Sequence, residues 1–172
     1  YVLTLLLRDP FSRRILMTTY NPATAQLGVL YPCHSIIVQL YVKESPEDGK
    51  FYVSMNMYQR SVDLACGLPF NIASNALLLH LICETLNARL YFENNEKHTI
   101  QYIPDMMNII LGDIHVYEQH VAGVKEQIER IPFTFPTLKI NQKRENIELY
   151  ELDDFLIENY NYHEQIKMKM SA

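Results

Sequence analysis

The chain has 172 residues, 48% hydrophobic and 20% charged, with a formal net charge of −5. That length fits one domain with a real core, and the acidic balance argues against nucleic-acid binding, so any bound anion must be gripped by local arginines. Cys33, Cys66 and Cys83 make an odd count without a C-x-x-C, which argues against a disulfide framework or a zinc site and favours a reducing, cytoplasmic setting. No apolar run reaches the ~18–20 residues of a membrane span.

Residues 1–8 read as a buried helix closed by Asp9-Pro10, because the residue before proline disfavours the helical region. The chain starts without Met inside that helix, and the expectation is that upstream sequence is missing. Arg14–Tyr20 and Ser35–Val42 are rich in β-branched and aromatic residues and read as strands, with loops marked by Asn21-Pro22 and Tyr31-Pro32. Ser45–Gly49 is a turn, and Phe51–Tyr58 alternates as the returning strand.

Ile72, Ala76, Leu79, Cys83 and Leu86 form one apolar helix stripe, and Val116, His120, Val124 and Ile128 suggest a second helix. Short strands are expected near Thr99–Tyr102, Ile109–Leu111, Leu138–Ile140 and Ile147–Tyr150. Strands outnumber helices without βαβ alternation, so the fold class is α+β with a single domain.

Several residues could carry chemistry. Cys33 lies in Tyr31-Pro-Cys-His34, a proline-fixed loop before an apolar strand, where a nearby cation can turn a thiol into a nucleophile. Taken alone, a lone cysteine is more often buried and inert. Tyr58-Gln-Arg-Ser-Val-Asp63 places Arg60 and Ser61 at a strand end, able to hold a phosphate or equally to be solvated there. Asn71 would ordinarily be a helix N-cap. His115 and Tyr117 share one face of an extended stretch. His115 and His120 lack metalloprotease spacing, and each reads first as a satisfied structural histidine. Arg13-Arg14 is a dibasic pair of the kind that commonly sits on a surface.

Together, in this order, these segments resemble the thymidylate synthase family. The resemblance rests on Ser12-Arg-Arg14, Tyr20-Asn-Pro22, Pro32-Cys-His34, Gln39-Leu-Tyr-Val42, Tyr58-Gln-Arg-Ser61, Leu68-Pro-Phe-Asn-Ile-Ala-Ser74, Leu111-Gly-Asp113 and Lys167-Met-Lys-Met170. It covers essentially the whole chain, as the C-terminal portion of a catalytic domain 1–172, alone or fused to a dihydrofolate reductase. It implies a mixed β-sheet flanked by helices, pairing sheet against sheet in a homodimer with shared active sites.

The implied activity is methyl transfer: reductive methylation of dUMP to dTMP with 5,10-methylenetetrahydrofolate as co-substrate, giving dihydrofolate and needing no metal. Cys33 is implied as the nucleophile, with His34 beside it. Arg60 and Ser61 should hold the nucleotide phosphate with Gln59 beside them, Asn71 the uracil edge, and His115 with Tyr117 the deoxyribose hydroxyl. Asp63 should meet the pterin and stand among the catalytic residues, as should Arg60. Gly67, Phe70, Tyr117, Met170 and Ser171 complete the folate side, and Arg13 and Arg14 should reach the partner subunit's phosphate.

Tyr31 stands where the family usually has a second proline, and Asn75 where an aromatic is usual. Pro46–Tyr52 and Ala88–Gln101 look like inserted surface loops. Two other functions fit parts of the pattern: a dUMP hydroxymethylase, which captures water instead of hydride, and a non-catalytic relative serving as an interaction subunit.

Overall fold

The computed structural model describes residues 1–25, 27, 35–93 and 100–170; Cys33, His34 and Ser171 lie outside the described residues. The elements are helix α1 (Val2–Arg8), strands β1 (Leu16–Thr18), β2 (Ile37–Glu44) and β3 (Phe51–Asp63), helix α2 (Leu68–Glu93), strand β4 (Tyr102–His115), helix α3 (Val121–Ile128) and strands β5 (Thr137–Ile140) and β6 (Phe155–Glu158). Single 3-10 turns sit at Glu118–His120, Ile147–Leu149 and Leu152–Asp154. Among the described residues no helix is long and apolar enough to cross a membrane.

The main sheet runs β1-β2-β3-β4, antiparallel except for the parallel pair β3–β4, so the expected α+β class with a mixed sheet is met. Period-two alternation decides its faces. Val38, Leu40 and Val42 of β2 and Val53, Met55 and Met57 of β3 are buried in a core with Leu6, Ile15, Leu79, Ile82, Cys83 and Leu86. The opposite face carries Ile37, Tyr41, Tyr58, Met106, Ile110 and Ile114, all exposed, with Tyr41 at 63% and Ile110 at 59%.

β4 returns parallel to β3 because α2 carries the chain back along the sheet. Its entry is pinned by a reciprocal pair: Asn87 Nδ2 donates to the Tyr102 carbonyl at 2.9 Å, and the Tyr102 amide donates to Asn87 Oδ1 at 2.8 Å. The buried Tyr102 hydroxyl donates to the Leu6 carbonyl at 2.7 Å, and burial pushes its pKa up to about 12. Pro104 is tolerated because β4 is an edge strand.

Several expectations are corrected. The two short strands expected at 99–102 and 109–111 meet in one strand of 14 residues, Tyr102–His115, with Thr99 outside the described residues. Ile147–Tyr150 is a 3-10 turn rather than a strand, and β6 was not anticipated. Of the expected inserted loops, residues 46–49 form an exposed turn, but Phe51 opens β3 and is buried, and Ala88 is buried within α2, which continues to Glu93, with residues 94–99 outside the described residues. The α2 stripe is displaced at its start, where Asn75 is buried and Ile72 exposed.

The second sheet, β5–β6, is locked by Asp154, which is 4% exposed. Arg144 donates to both of its carboxylate oxygens, at 3.1 and 3.0 Å, and the Glu151 amide donates at 3.0 Å. The Arg144 guanidinium, and then the Glu151 amide, hold the Asp154 carboxyl below the usual carboxylate range. A depressed carboxyl contributes stability that is present above its unfolded pKa of ~3.9 and lost as pH falls through the folded value. Asp154→Asn is therefore expected to lower Tm at pH 7, and the gap to wild type should close as the pH drops below about 4. A gap in calorimetry that persists unchanged at pH 3 contradicts this account.

Candidate active site

Parallel pairing sets the C-terminal ends of β3 and β4 side by side, with Ser61 opposite Asp113 and Asp63 opposite His115. The Leu64 amide then donates to the His115 carbonyl at 3.0 Å, extending the match by one step. Two motifs some fifty residues apart in sequence thus become one strip of polar side chains. The approach depends on Gly112, where a Cβ would come within 2.6 Å of the Arg60 carbonyl and 3.1 Å of the Gln59 carbonyl.

Gln59 is fully buried. Its Nε2 donates to the Ser61 carbonyl at 3.1 Å, which holds the turn of chain just past Arg60. Arg60 is exposed, and none of the four ion pairs among the described residues involves Arg60, Arg13 or Arg14. All three guanidinium charges remain available to an anion.

Asp63 closes β3 and shapes the entry to α2. Its Oδ1 accepts the amides of Ala65 at 3.0 Å and Cys66 at 3.2 Å, and its carbonyl accepts the Gly67 amide at 3.1 Å. Gly67 matters for space: a Cβ there would lie 3.1 Å from the Asp63 carbonyl. Asn71 lies inside the first turns of α2, its amide donating to the Gly67 carbonyl at 3.1 Å, so the N-cap reading is corrected, while Asp63 shapes the turn that precedes the helix.

Asn75, one turn further, explains its own departure from an aromatic. Its Nδ2 donates to the Asn71 carbonyl at 2.8 Å, and its Oδ1 accepts the Ser35 hydroxyl at 2.8 Å. The residue two positions after Cys33 is thereby tied to the helix that carries Asn71. A fully paired buried amide costs little to keep.

From β4 the site continues through stacked rings. His115 and Tyr117 meet edge to face at 5.3 Å between centroids, and Tyr117 meets His120 likewise at 5.7 Å. His120 is fully buried, and its Nε2 donates to the Lys169 carbonyl at 2.6 Å. Arg130 donates to the Glu164 carbonyl at 2.6 Å and His163 to the Ile131 carbonyl at 2.8 Å, so residues 163–169 are strapped along α3 and end beside the strip. Met170 follows, exposed. Sequence reasoning placed His120 in a plain helix stripe and missed both this strap and the approach of Cys66 to Asp63.

Two sets of expected site residues lie apart from this strip. Phe70 follows the Ala73–Leu77 side of α2 and lines an apolar cavity of about 570 Å³ with Pro136, Leu138 and Phe155. Arg13 and Arg14 precede β1, whose Leu16 pairs with Gln39 and, through it, with Asn56. Extending that register sets Arg14 level with Ser54, and from there to Arg60 is six residues, or ~20 Å at the rise of a strand. The two arginines lie at the far end of the sheet from the Arg60 of their own chain.

A family model described as thymidylate synthase matches residues 1–172. The thymidylate synthase of Saccharomyces cerevisiae is 42% identical over 167 residues, covering 95% of this chain and 50% of that protein. The bifunctional dihydrofolate reductase-thymidylate synthases of Plasmodium chabaudi and Leishmania major are 38% and 39% identical, covering 99% and 95% of this chain but 26% and 28% of their own lengths. The chain belongs to the thymidylate synthase family and spans from about a quarter to a half of these curated relatives.

Two glycines separate a rigid part of the site from a loose one. At Gly112 the obstacle to a side chain is backbone, whereas at Gly123 it is the Met168 Sδ at 2.8 Å, the end of a flexible side chain in the strap. Gly112→Ala is expected to cost about 1–3 kcal/mol in urea unfolding. Gly123→Ala should stay within ~0.5 kcal/mol of wild type yet expose the C-terminal strap to carboxypeptidase. Equal effects of the two substitutions on global stability would contradict this division.

Proposed function

We propose that this chain supplies the nucleotide half of a thymidylate synthase active site, converting dUMP to dTMP with 5,10-methylenetetrahydrofolate as carbon and hydride donor. One observation carries the reading: the β3–β4 register sets Ser61 beside Asp113 and Asp63 beside His115, with Arg60 next to Ser61 in the chain and Asn71 one turn into the adjoining helix. In this reading Arg60 and Ser61 grip the phosphate, His115 and Tyr117 hold the deoxyribose hydroxyl, and the Asn71 amide presents a donor and an acceptor to the uracil edge.

The Cys33 thiolate adds to C6 of the uracil, and the electron pair moves to C5 as an enolate. C5 then bonds to the methylene carbon of the folate and loses its proton. Elimination of tetrahydrofolate leaves an exocyclic methylene, which accepts a hydride from it as the Cys33–C6 bond breaks. The cation needed to keep Cys33 ionised comes from Arg60. Asp63 and Gly67 meet the pterin, and the strap ending in Met170 and Ser171 closes over it. The reaction draws on no metal.

The site is shared between two copies. The open face of the sheet exposes Ile37, Tyr41, Tyr58, Ile110 and Ile114 around the Asn56–Asn108 and Ser54–Asp105 pairs, a composition that suits packing against its own copy. Arg13 and Arg14 lie too far from Arg60 along their own sheet to serve the same phosphate, and a two-fold interface is the arrangement that uses them.

The test follows from that geometry. Cys33→Ala in the full-length protein should abolish the covalent adduct with 5-fluoro-dUMP and methylenetetrahydrofolate, read by mass spectrometry. Cys33→Ser and Arg13→Ala/Arg14→Ala homodimers should each be nearly inactive. Refolded together in equal amounts they should recover about a quarter of wild-type activity, since half the dimers are mixed and each has one intact site. Background activity with mixed dimers confirmed by native mass spectrometry would rule out the shared arginines, and a surviving adduct would remove Cys33 as nucleophile.

A further inference from the structure

We propose that Asp63, Cys66 and His120 form a binding site for a divalent metal ion of the zinc class, a site of which the proposed methyl transfer uses only Asp63. One ligand atom from each of these three side chains lies within 4.8 Å of the others. A tetrahedral ion with ligands ~2.0–2.3 Å away would hold them roughly 3.3–3.8 Å apart, so the three side chains need close in on it by only about 1 Å. The donor set, one thiolate, one imidazole nitrogen and one carboxylate oxygen, suits zinc or cobalt better than magnesium or calcium, which prefer all-oxygen shells.

The independent observation is His120. Its ring is fully buried, and its Nε2 is committed as a donor to the Lys169 carbonyl at 2.6 Å. That commitment leaves Nδ1 as the lone-pair nitrogen of the neutral ring, and Nδ1 has no hydrogen-bond partner among the described residues. Leaving a buried acceptor unpaired is costly. An imidazole that donates one N–H to a backbone carbonyl and offers its other nitrogen to a cation has the pattern seen around metal-bound histidines, where the carbonyl fixes tautomer and ring orientation.

The other two ligands are equally prepared. Asp63 Oδ1 is held by the Ala65 and Cys66 amides, which fixes the carboxylate and leaves Oδ2 outside those two bonds. The Cys66 thiol is half-buried, and an ion would take it as the thiolate, releasing one proton. Bound there, the ion would join the end of β3, the turn before α2 and, through His120, the carbonyl of Lys169. It would therefore also hold the C-terminal strap in place.

The experiment uses Zn²⁺ and Co²⁺ alone, on full-length protein in a Cys33→Ser background so that Cys33 contributes no thiolate. Expected are one equivalent of Zn²⁺ per chain by native mass spectrometry, and a thiolate-to-cobalt charge-transfer band in the near ultraviolet. Adding Cys66→Ala should remove the band and weaken Zn²⁺ binding by about tenfold or more. Asp63→Asn should weaken it while keeping the thiolate band. Circular dichroism confirms that each variant is folded, and Cys66→Ser serves if Cys66→Ala is not. Zn²⁺ should also slow carboxypeptidase trimming of the strap in the Cys33→Ser protein and not in the Cys66 variant. No charge-transfer band, or Zn²⁺ binding unchanged by loss of Cys66, overturns the site.

Discussion

The register of β4 along β3 is the constraint on which everything else depends. A strand slipped by one residue turns every side chain to the other face, and here it would also separate Ser61 from Asp113 and Asp63 from His115. The register is set from both ends. At the start of β4, Asn87 of α2 grips Tyr102 through both of its main-chain polar groups, so the length of α2 determines where β4 begins. At the far end, Gly112 lets β4 come close enough to β3 for the Arg60 and Gln59 carbonyls to sit where a Cβ would be. A long helix, an amide clamp and one missing methyl group together decide which polar side chains meet.

The same sheet leaves one face open. Its inner face is paid for by α1 and α2, but nothing among the described residues covers Ile37, Tyr41, Tyr58, Met106, Ile110 and Ile114. Arg60 lies near one end of β3 and Arg14 falls level with Ser54 toward the other, with none of the three charges in an ion pair among the described residues. A dianion needs more than one of these cations, and the strand rise keeps them apart within one chain. The exposed apolar residues and the divided arginines are the two features on which the proposed shared site rests.

How much of this could be read from residues alone depended on whether the cause was local. β2 and β3 were legible because alternation of Val38, Leu40 and Val42 against Ile37, Gln39 and Tyr41 is a local pattern. The α2 stripe was legible from Leu79 to Leu86, but at its start a buried Asn75 broke the apolar rule, since its justification is a bond to Ser35, forty residues away. β4 was read as two fragments because Pro104, Asp105, Asn108 and Gly112 interrupt its hydrophobicity, and an edge strand tolerates those residues only once its place in the sheet is known. The site residues came from a motif string rather than from physics, which is why the string could name Asp63 and His115 but not say that they touch through main-chain register. Cys66 and His120 belonged to no motif, and their approach exists only in three dimensions.

The C-terminal strap shows how a loose segment can still be held firmly enough to matter. Residues 163–169 form no helix or strand, and three side-chain-to-carbonyl bonds, from Arg130, His163 and His120, tie them to α3 and its flanks. Two of the three lie at the surface, where each is worth little against competing water. The bond from His120 differs because the ring is fully buried. Lifting Lys169 away removes the acceptor from a buried donor, which costs about 1–3 kcal/mol, or roughly a five- to 150-fold preference for the closed strap. That is small beside a folding free energy of ~5–15 kcal/mol, so the strap can open while the sheet stays intact. It is still large enough that anything gripping the other nitrogen of His120 would bear directly on the closed state.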